Sequence, residues 1–134
     1  MLEPQRGLSA ARNRGSYEAK YDWLAYIDDD LRVYSNFIDR ALESINSGSF
    51  SCIGGIYFPW YKYGCPDWLP KHVGSNQHLA KTNDLEELYD QNVIGAIMLM
   101  KKSVLHEVGG FSLQLGMNAE RVGYGEEDEV QVMM

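Results

Sequence analysis

Three adjacent carboxylates, Asp28, Asp29 and Asp30, directly follow the apolar, β-prone residues 23–27. In an extended chain alternate side chains share a face, so Asp28 and Asp30 can converge while Asp29 turns away. Such carboxylates repel one another and lose solvation at the end of a buried strand, and a divalent cation would offset that cost. Mg²⁺ and Mn²⁺ take oxygen ligands of this kind, completed by water and substrate phosphates. The spacing therefore predicts a cation site, with a solvated strand end as the alternative.

A second acidic cluster, Glu126-Glu127-Asp128-Glu129, comes near the end of the chain, directly after Gly123 and Gly125. Glycines that lead into an acidic run predict the start of a helix, because carboxylates in the first turn are stabilised by the positive end of the helix dipole. These residues alone are explained by an acidic helix start on a solvated face. Crowding of like charges can also raise the pKa of one carboxyl group, which suits a general base.

A helix is predicted ahead of the first acidic cluster, over residues 7–20, with Ser9 as its cap. Arg12 and Arg14 lie just ahead of the acidic strand, and one of them could reach the Asp cluster or a phosphate, with a solvated arginine as the alternative. The residues expected on its inner face are Leu8, Ala11 and Ala19.

Between the acidic clusters, residues 36–46 and 103–108 also predict helices. Apolar residues repeat at helical spacing over residues 36–46. Residues 103–108 predict a short helix that Gly109-Gly110 closes before Phe111 returns to the core.

Two buried strands are predicted at residues 51–58 and 93–100. The second strand has apolar side chains on both faces, which favours an interior strand covered by helices. The Gly54-Gly55 pair in the first strand marks a close approach to the backbone or a bulge.

Residues 59–91 show no clear period and predict a long loop with a short helix near residues 85–89. Loops of this length in compact domains are often lids or binding loops. Their aromatic residues, Trp60 and Trp68 among them, could stack on a sugar ring or form a local core.

Length and charge narrow the class of protein. With 134 residues and 45% hydrophobic residues, the chain is predicted to be one globular domain or part of one. A net charge of −7 argues against a nucleic-acid partner, which would require a basic surface. The N-terminus has no apolar core of the signal-peptide kind, and no uninterrupted apolar run approaches transmembrane length. We therefore expect a soluble, cytoplasmic protein, with a peripheral position at a membrane as the alternative.

Four segments together resemble the family-2 glycosyltransferases of the GT-A fold, and they occur in that family's order. Residues 7–15, GLSAARNRG, resemble its Gly-x-x-x-Ala-Arg-Asn-x-Gly helix, and Asp28-Asp29-Asp30 resembles its Asp-x-Asp motif. Residues 102–111 resemble its segment with a basic residue, a short helix and Gly-Gly-Phe. Glu126-Glu127-Asp128 resembles the Glu-Asp pair that carries the catalytic base.

The resemblance implies an inverting transfer of a sugar from a nucleotide-diphosphate donor to a hydroxyl of a carbohydrate or other acceptor. It implies that Asp30, with Asp28 or Asp29 assisting, holds Mn²⁺ or Mg²⁺ against the charge that develops on the leaving diphosphate. Asp128 is the first choice for the base that takes the acceptor proton. Glu127 is the second choice, because the doubled Glu leaves the register of the pair ambiguous by one residue.

The resemblance also implies binding roles for further residues. Asp28, Asp29 and Arg12 are expected to contact the donor nucleotide or to support the acidic motif. The residues expected to contact substrate are Trp60, Trp68 and Glu126.

The implied fold is α/β and GT-A-like, a mixed sheet with flanking helices that lacks the N-terminal nucleotide-binding strands. In the family those strands and a Pro-x-Tyr-Asn-like loop precede the Arg-Asn helix, and neither is found here. Residues 1–134 are therefore expected to be a partial family-2 catalytic domain. A different class of function, a non-catalytic truncated module that binds carbohydrate or protein and forms homo-oligomers across exposed sheet edges, is the alternative.

Overall fold

A three-stranded sheet with helices around it forms the described part of the chain. The structure is a computed structural model that describes residues 3–70, 73–79, 84–88, 91–117 and 123–134. Its elements in chain order are the helix α1 (Leu8–Glu18), the strand β1 (Trp23–Ile27), the helix α2 (Phe37–Asn46), the strand β2 (Cys52–Gly54), a 3₁₀ helix (Gln77–Leu79), the strand β3 (Ile97–Lys101) and the helices α3 (Lys102–Glu107) and α4 (Glu126–Met133). This combination of sheet and helices agrees with the predicted α/β class.

Strand β3 lies at the centre of the sheet, and β1 and β2 pair with it on either side. Both pairings are antiparallel, and Met98 of β3 lies opposite Tyr26 and Gly54. The strands in the described ranges therefore form an antiparallel sheet, whereas the sequence predicts a mixed one. Because β3 starts beside the end of β1, it runs back along β1 in the opposite direction.

One face of the sheet and the helices packed on it enclose the hydrophobic core. Because alternate strand residues share a face, Met98 and Met100 both point into this core. Phe111 is 2% exposed there, which confirms that it returns to the core after α3. The buried core residues are Leu24, Met98, Met100, Leu105, Phe111 and Val130.

Strand β3 starts at Ile97, four residues later than the predicted start at Val93. The backbone of Val93 is bound by a side chain instead of a strand: its N–H donates to Gln131 Oε1 at 2.6 Å, and its carbonyl accepts from Gln131 Nε2 at 2.9 Å. This helix side chain satisfies both backbone groups, so Val93 is bound to α4 and does not belong to the sheet.

Strand β2 is shorter than predicted, but its glycines have the expected role. A Cβ at Gly54 would lie 2.5 Å from Val93 Cγ1, and one at Gly55 would lie 2.7 Å from Ile97 Cγ2. Both distances are too short for a side chain, so the glycine pair confirms the predicted close approach to the backbone.

Helix α1 agrees with its predicted position, but its cap and its inner face differ. Gly7, with a φ of 136°, occupies the N-cap position predicted for Ser9. The buried residues of this helix are Ser9, Ala10, Arg12 and Ser16. Of the predicted inner face, Ala11 is exposed and Leu8 is half-buried, whereas Ala19, directly after the helix, packs against the core. The apolar pattern fails here because this helix buries a polar face, whose partners lie far away in the sequence.

Helices α2 and α3 match their predictions within a residue or two. Gly109 and Gly110 close α3 with φ values of 91° and 79°, and the Gly110 N–H donates to the Leu105 carbonyl at 2.9 Å. These left-handed conformations suit glycine, so the pair ends the helix as predicted.

The long segment after β2 is irregular over its described residues, apart from the 3₁₀ helix. Residues 84–88 are not helical, so the predicted helix near residues 85–89 is wrong where the structure describes it, and Tyr89 lies outside the described residues. In the part of the chain that the structure describes, no helix has the length and apolar character needed to cross a membrane.

The two cysteines provide a test of this fold. Burial raises the pKa of the Cys52 thiol to about 12, whereas Cys65 is exposed. Because the thiolate is the reactive form, iodoacetamide at about pH 8 should modify Cys65 and spare Cys52 in the folded protein. Mass spectrometry of tryptic peptides measures both sites. In Cys65→Ser, modification of Cys52 as fast in buffer as in denaturing urea would contradict the packing of β2.

Candidate functional site

Asn13 of α1 binds the loop that follows α3. Its Nδ2 donates to the Phe111 carbonyl at 2.8 Å, and its Oδ1 accepts from the Phe111 N–H at 2.8 Å. A Cβ at Gly110 would lie 2.7 Å from the same Oδ1. The asparagine and the Gly-Gly-Phe segment therefore fit together as one contact, which fixes α1 against the core.

Arg12, the residue before Asn13, binds the start of α4. Its Nη1 lies 3.0 Å from Glu126 Oε1 and 3.7 Å from Glu127 Oε2. The side chains of Arg12 and Glu126 are only 8% and 4% exposed. The guanidinium carbon also lies 5.3 Å from the centre of the Phe111 ring. The arginine is thus a buried anchor for the second acidic cluster.

Gly95 makes room for the carboxylate of Glu127. A Cβ at this position would lie 2.7 Å from Glu127 Oε1 and 3.3 Å from Arg12 Nη2. The next residue, Ala96, accepts a hydrogen bond from the Asp28 N–H at 3.0 Å. Consecutive residues of one segment therefore contact both acidic clusters, which meet at one end of the sheet.

The electrostatics of this corner connect the two clusters. Burial raises the pKa of Asp28; Arg12 opposes this, and the carboxylates of Asp30, Glu127 and Asp29 raise it further. Burial likewise raises the pKa of Glu126, with a contribution in the same direction from Glu127 and an opposing one from Arg12. The carboxylates of the two clusters thus act on one another through a shared region of negative potential.

Asp28 and Asp30 line a cleft of about 750 Å³ beside this corner, and Asp29 does not. The chain turns here, because the Leu31 N–H donates to the Asp28 carbonyl at 3.2 Å. The convergence predicted from strand alternation therefore arises from a turn that follows β1.

The donor atoms of this corner fit a hard divalent cation. Within the described ranges, no three His, Cys, Asp or Glu side chains are grouped so as to hold a metal ion by themselves. Mg²⁺ commonly takes one or two protein carboxylates and completes its shell with water and substrate phosphates. Asp28 and Asp30 match that need, and the like charges that raise the pKa of Asp28 favour a cation beside it.

The other predicted site residues do not all lie at the cleft. Asp128 is exposed and accepts a hydrogen bond from Asn92 Nδ2 at 3.0 Å. The Glu126 carboxylate, predicted to contact substrate, is buried against Arg12. Trp60 lines the cleft, whereas Trp68 is 80% exposed and does not.

Sequence reasoning missed three residues of this region. Gly95 had a signal, because a glycine inside a strand pattern often marks a close backbone approach. Gln131 had no such signal, because nothing in the sequence of a helix indicates that one of its amide side chains binds a distant backbone segment. Arg32, which lies over the Trp60 ring, had none either.

The chain belongs to glycosyl transferase family 2, whose family model matches residues 1–109. That match includes Arg12 and the first acidic cluster and ends before α4. Among curated proteins, the chain is similar to the glucosyl-dolichyl phosphate glucuronosyltransferase of Haloferax volcanii, with 25% identity over 124 residues. The alignment covers 89% of this chain and 39% of that relative, so the chain spans less than half of the relative's length. No solved structure matches the chain.

Removal of the buried arginine tests the anchor. Arg12→Met leaves Glu126 buried without its partner, which should lower the free energy of unfolding by about 3 kcal/mol at about pH 7. Arg12 lowers the pKa of Glu126, so its loss raises that pKa further above the unfolded value. The folded state of Arg12→Met then binds a proton that its unfolded state lacks. Its loss of unfolding free energy relative to the original chain should therefore shrink as the pH falls towards about 5.

Urea denaturation across this pH range measures the effect. Arg14→Met is the matched control, because Arg14 pairs with Glu18 on the exposed face of the same helix and should cost about 0.5 kcal/mol or less. Equal losses in the two variants, or a deficit in Arg12→Met that does not change with pH, would contradict the anchoring role.

Proposed function

We propose that this chain carries the catalytic corner of an inverting sugar transfer from a nucleotide-diphosphate donor to an acceptor hydroxyl. The observation that supports the proposal most is the meeting of Glu127 and Asp28 at one end of the sheet, on either side of Gly95 and Ala96. A carboxylate base and a cation site must lie close together for such a reaction, and the Glu127 carboxylate lies close enough to Asp28 to raise its pKa. Asp28 and Asp30 line the cleft, and Glu127 lies beside it. The family membership of residues 1–109 supports the same conclusion.

Glu127 is the base in this proposal. Its carboxylate lies at Gly95, near Arg12, and influences Asp28, whereas Asp128 points to Asn92 at the exposed side of α4. Glu127 takes the proton of the acceptor hydroxyl as the oxygen attacks the anomeric carbon, opposite the bond to the leaving diphosphate. Attack from the opposite face inverts the configuration at that carbon.

Asp28 and Asp30 hold the donor side of the cleft. Mn²⁺ or Mg²⁺ bound by these carboxylates would supply Lewis-acid stabilisation of the charge on the leaving nucleotide diphosphate. Arg12 keeps α4 in place through Glu126, so that the carboxylate of Glu127 stays aligned with this side. Small displacements of a base have large effects on rate, which gives the buried pair a positioning role.

The relative directs the choice of the first substrates to test. We propose a glucuronosyl donor and a glucosyl-dolichyl phosphate acceptor, which would bring the chain to a membrane surface as a peripheral protein. The 39% coverage of the relative supports the further proposal that residues 1–134 correspond to part of a larger catalytic domain.

Substitution of the two candidate bases tests the mechanism. With Mn²⁺, a panel of nucleotide sugars and this acceptor, release of nucleoside diphosphate measures turnover. Glu127→Gln should lower the rate by about 100-fold or more, because general base catalysis typically contributes that much. Asp128→Asn should retain the rate within about threefold, since Asp128 is exposed and its carboxylate binds Asn92 instead of lying at Gly95. The reverse ranking would move the base to Asp128, and binding of sugars without any release would favour the non-catalytic module.

The cation site is tested by binding rather than turnover. In isothermal titration, Mn²⁺ should strengthen binding of uridine diphosphate, and Asp30→Ala should remove most of that gain, about 10-fold in affinity. Asp39→Ala, which removes an exposed carboxylate at the start of α2, is the matched control and should leave it unchanged. A gain that survives in Asp30→Ala would exclude this residue as the main ligand.

A further inference from the structure

Arg32 and Trp60 form a stacked pair inside the cleft. The guanidinium carbon lies 3.5 Å from the centre of the Trp60 ring. That distance is the van der Waals thickness of two flat groups, so the guanidinium plane must lie nearly parallel to the indole. Both residues line the same cleft as Asp28 and Asp30. The pair therefore faces the space in which the proposed substrates bind.

The charge of Arg32 is not neutralised by an ion pair within the described ranges. Arg12, Arg14 and Arg40 each have a carboxylate partner there, whereas none is found for Arg32. The other charged residues in the lining of the cleft are Asp28, Asp30 and Arg40, and Arg40 pairs with Glu43 at 2.8 Å. Arg32 is thus the cation of this lining that is available to a ligand.

Stacking also fixes the direction in which Arg32 can bind. The ring covers one face of the guanidinium and restricts its rotation, while the N–H groups lie in the guanidinium plane and are not covered by the ring. A planar fork of donors held in this way matches the two oxygens of a carboxylate or a phosphate. An exposed arginine without such support would lose more conformational entropy on binding.

We propose that the Arg32–Trp60 pair recognises an anionic group on a substrate sugar, either the carboxylate of a hexuronic acid or the phosphate of a sugar phosphate. The inference rests on the proposed function, to which it adds the charge of the sugar and the residue that selects it. Trp60 contributes the flat surface that holds the guanidinium. Asp28 and Asp30 repel the same anion, which restricts it to the Arg32 side of the cleft.

Ligand-observed NMR titration of the 134-residue chain tests the proposal without turnover. The probes are methyl glucuronide, glucose 1-phosphate, methyl glucoside and uridine diphosphate. The chain should bind one of the two anionic sugars about 10-fold more tightly than methyl glucoside, the gain expected from a charge-assisted pair. Whichever of these two sugars binds more tightly shows whether the pair recognises a carboxylate or a phosphate.

Three variants distinguish this pair from general charge. Arg32→Gln should abolish the preference and leave methyl glucoside binding unchanged, which also shows that the variant is folded. Arg40→Gln removes a cleft arginine that is already paired, and it should keep the preference. Trp60→Leu should weaken the preference, because it removes the surface that orients the guanidinium.

Several outcomes would overturn the proposal. Equal affinity of the original chain for charged and neutral sugars, or no binding of either anionic sugar at millimolar concentration, contradicts it. So does a preference that survives in Arg32→Gln. A loss of uridine diphosphate affinity in Arg32→Gln as large as the loss for the sugar would assign Arg32 to the nucleotide instead. Since no transfer is measured, failure of the turnover assay and failure of this titration remain distinguishable.

Discussion

The ion pair between Arg12 and Glu126 is the constraint on which the rest of the site depends. Two charges buried to this degree are costly unless each finds its partner, and breaking such a pair leaves an uncompensated charge in the interior. The pair therefore determines which face of α1 is buried and where α4 begins. Because Glu126 is held against Arg12, the side chain of the next residue, Glu127, lies beside Gly95. Asp128 then lies on the exposed side of the helix.

The antiparallel register of the sheet supplies the second half of the site. Because β1 and β3 run in opposite directions, the end of β1 lies beside the start of β3, and Asp28 bonds to Ala96. Segment 92–95 then lies along α4, where Asn92, Val93 and Gly95 contact three of its side chains. Two acidic clusters that are about 100 residues apart in the sequence are thereby joined through a few adjacent backbone positions.

The sequence predicted those features whose causes are local. The bounds of α2, the Gly109-Gly110 end of α3 and the acidic start of α4 follow from apolar spacing, left-handed glycines and the helix dipole, so each could be read without the fold. The burial of Arg12 depends on a partner 114 residues away, and the late start of β3 depends on Gln131. The different surroundings of Glu127 and Asp128 depend on the helix phase relative to Arg12, which no local pattern contains.

The charge balance of the corner gives a physical reason to expect a cation. Arg12 contacts Glu126 and Glu127 and acts electrostatically on Asp28, and Asp29 and Asp30 add further negative charge beside Asp28. Arg12 cannot also neutralise the aspartates without leaving Glu126, and Arg32 lies over Trp60, outside any ion pair in the described ranges. The excess negative charge therefore falls on the side that lines the cleft. A divalent cation would be attracted to that side.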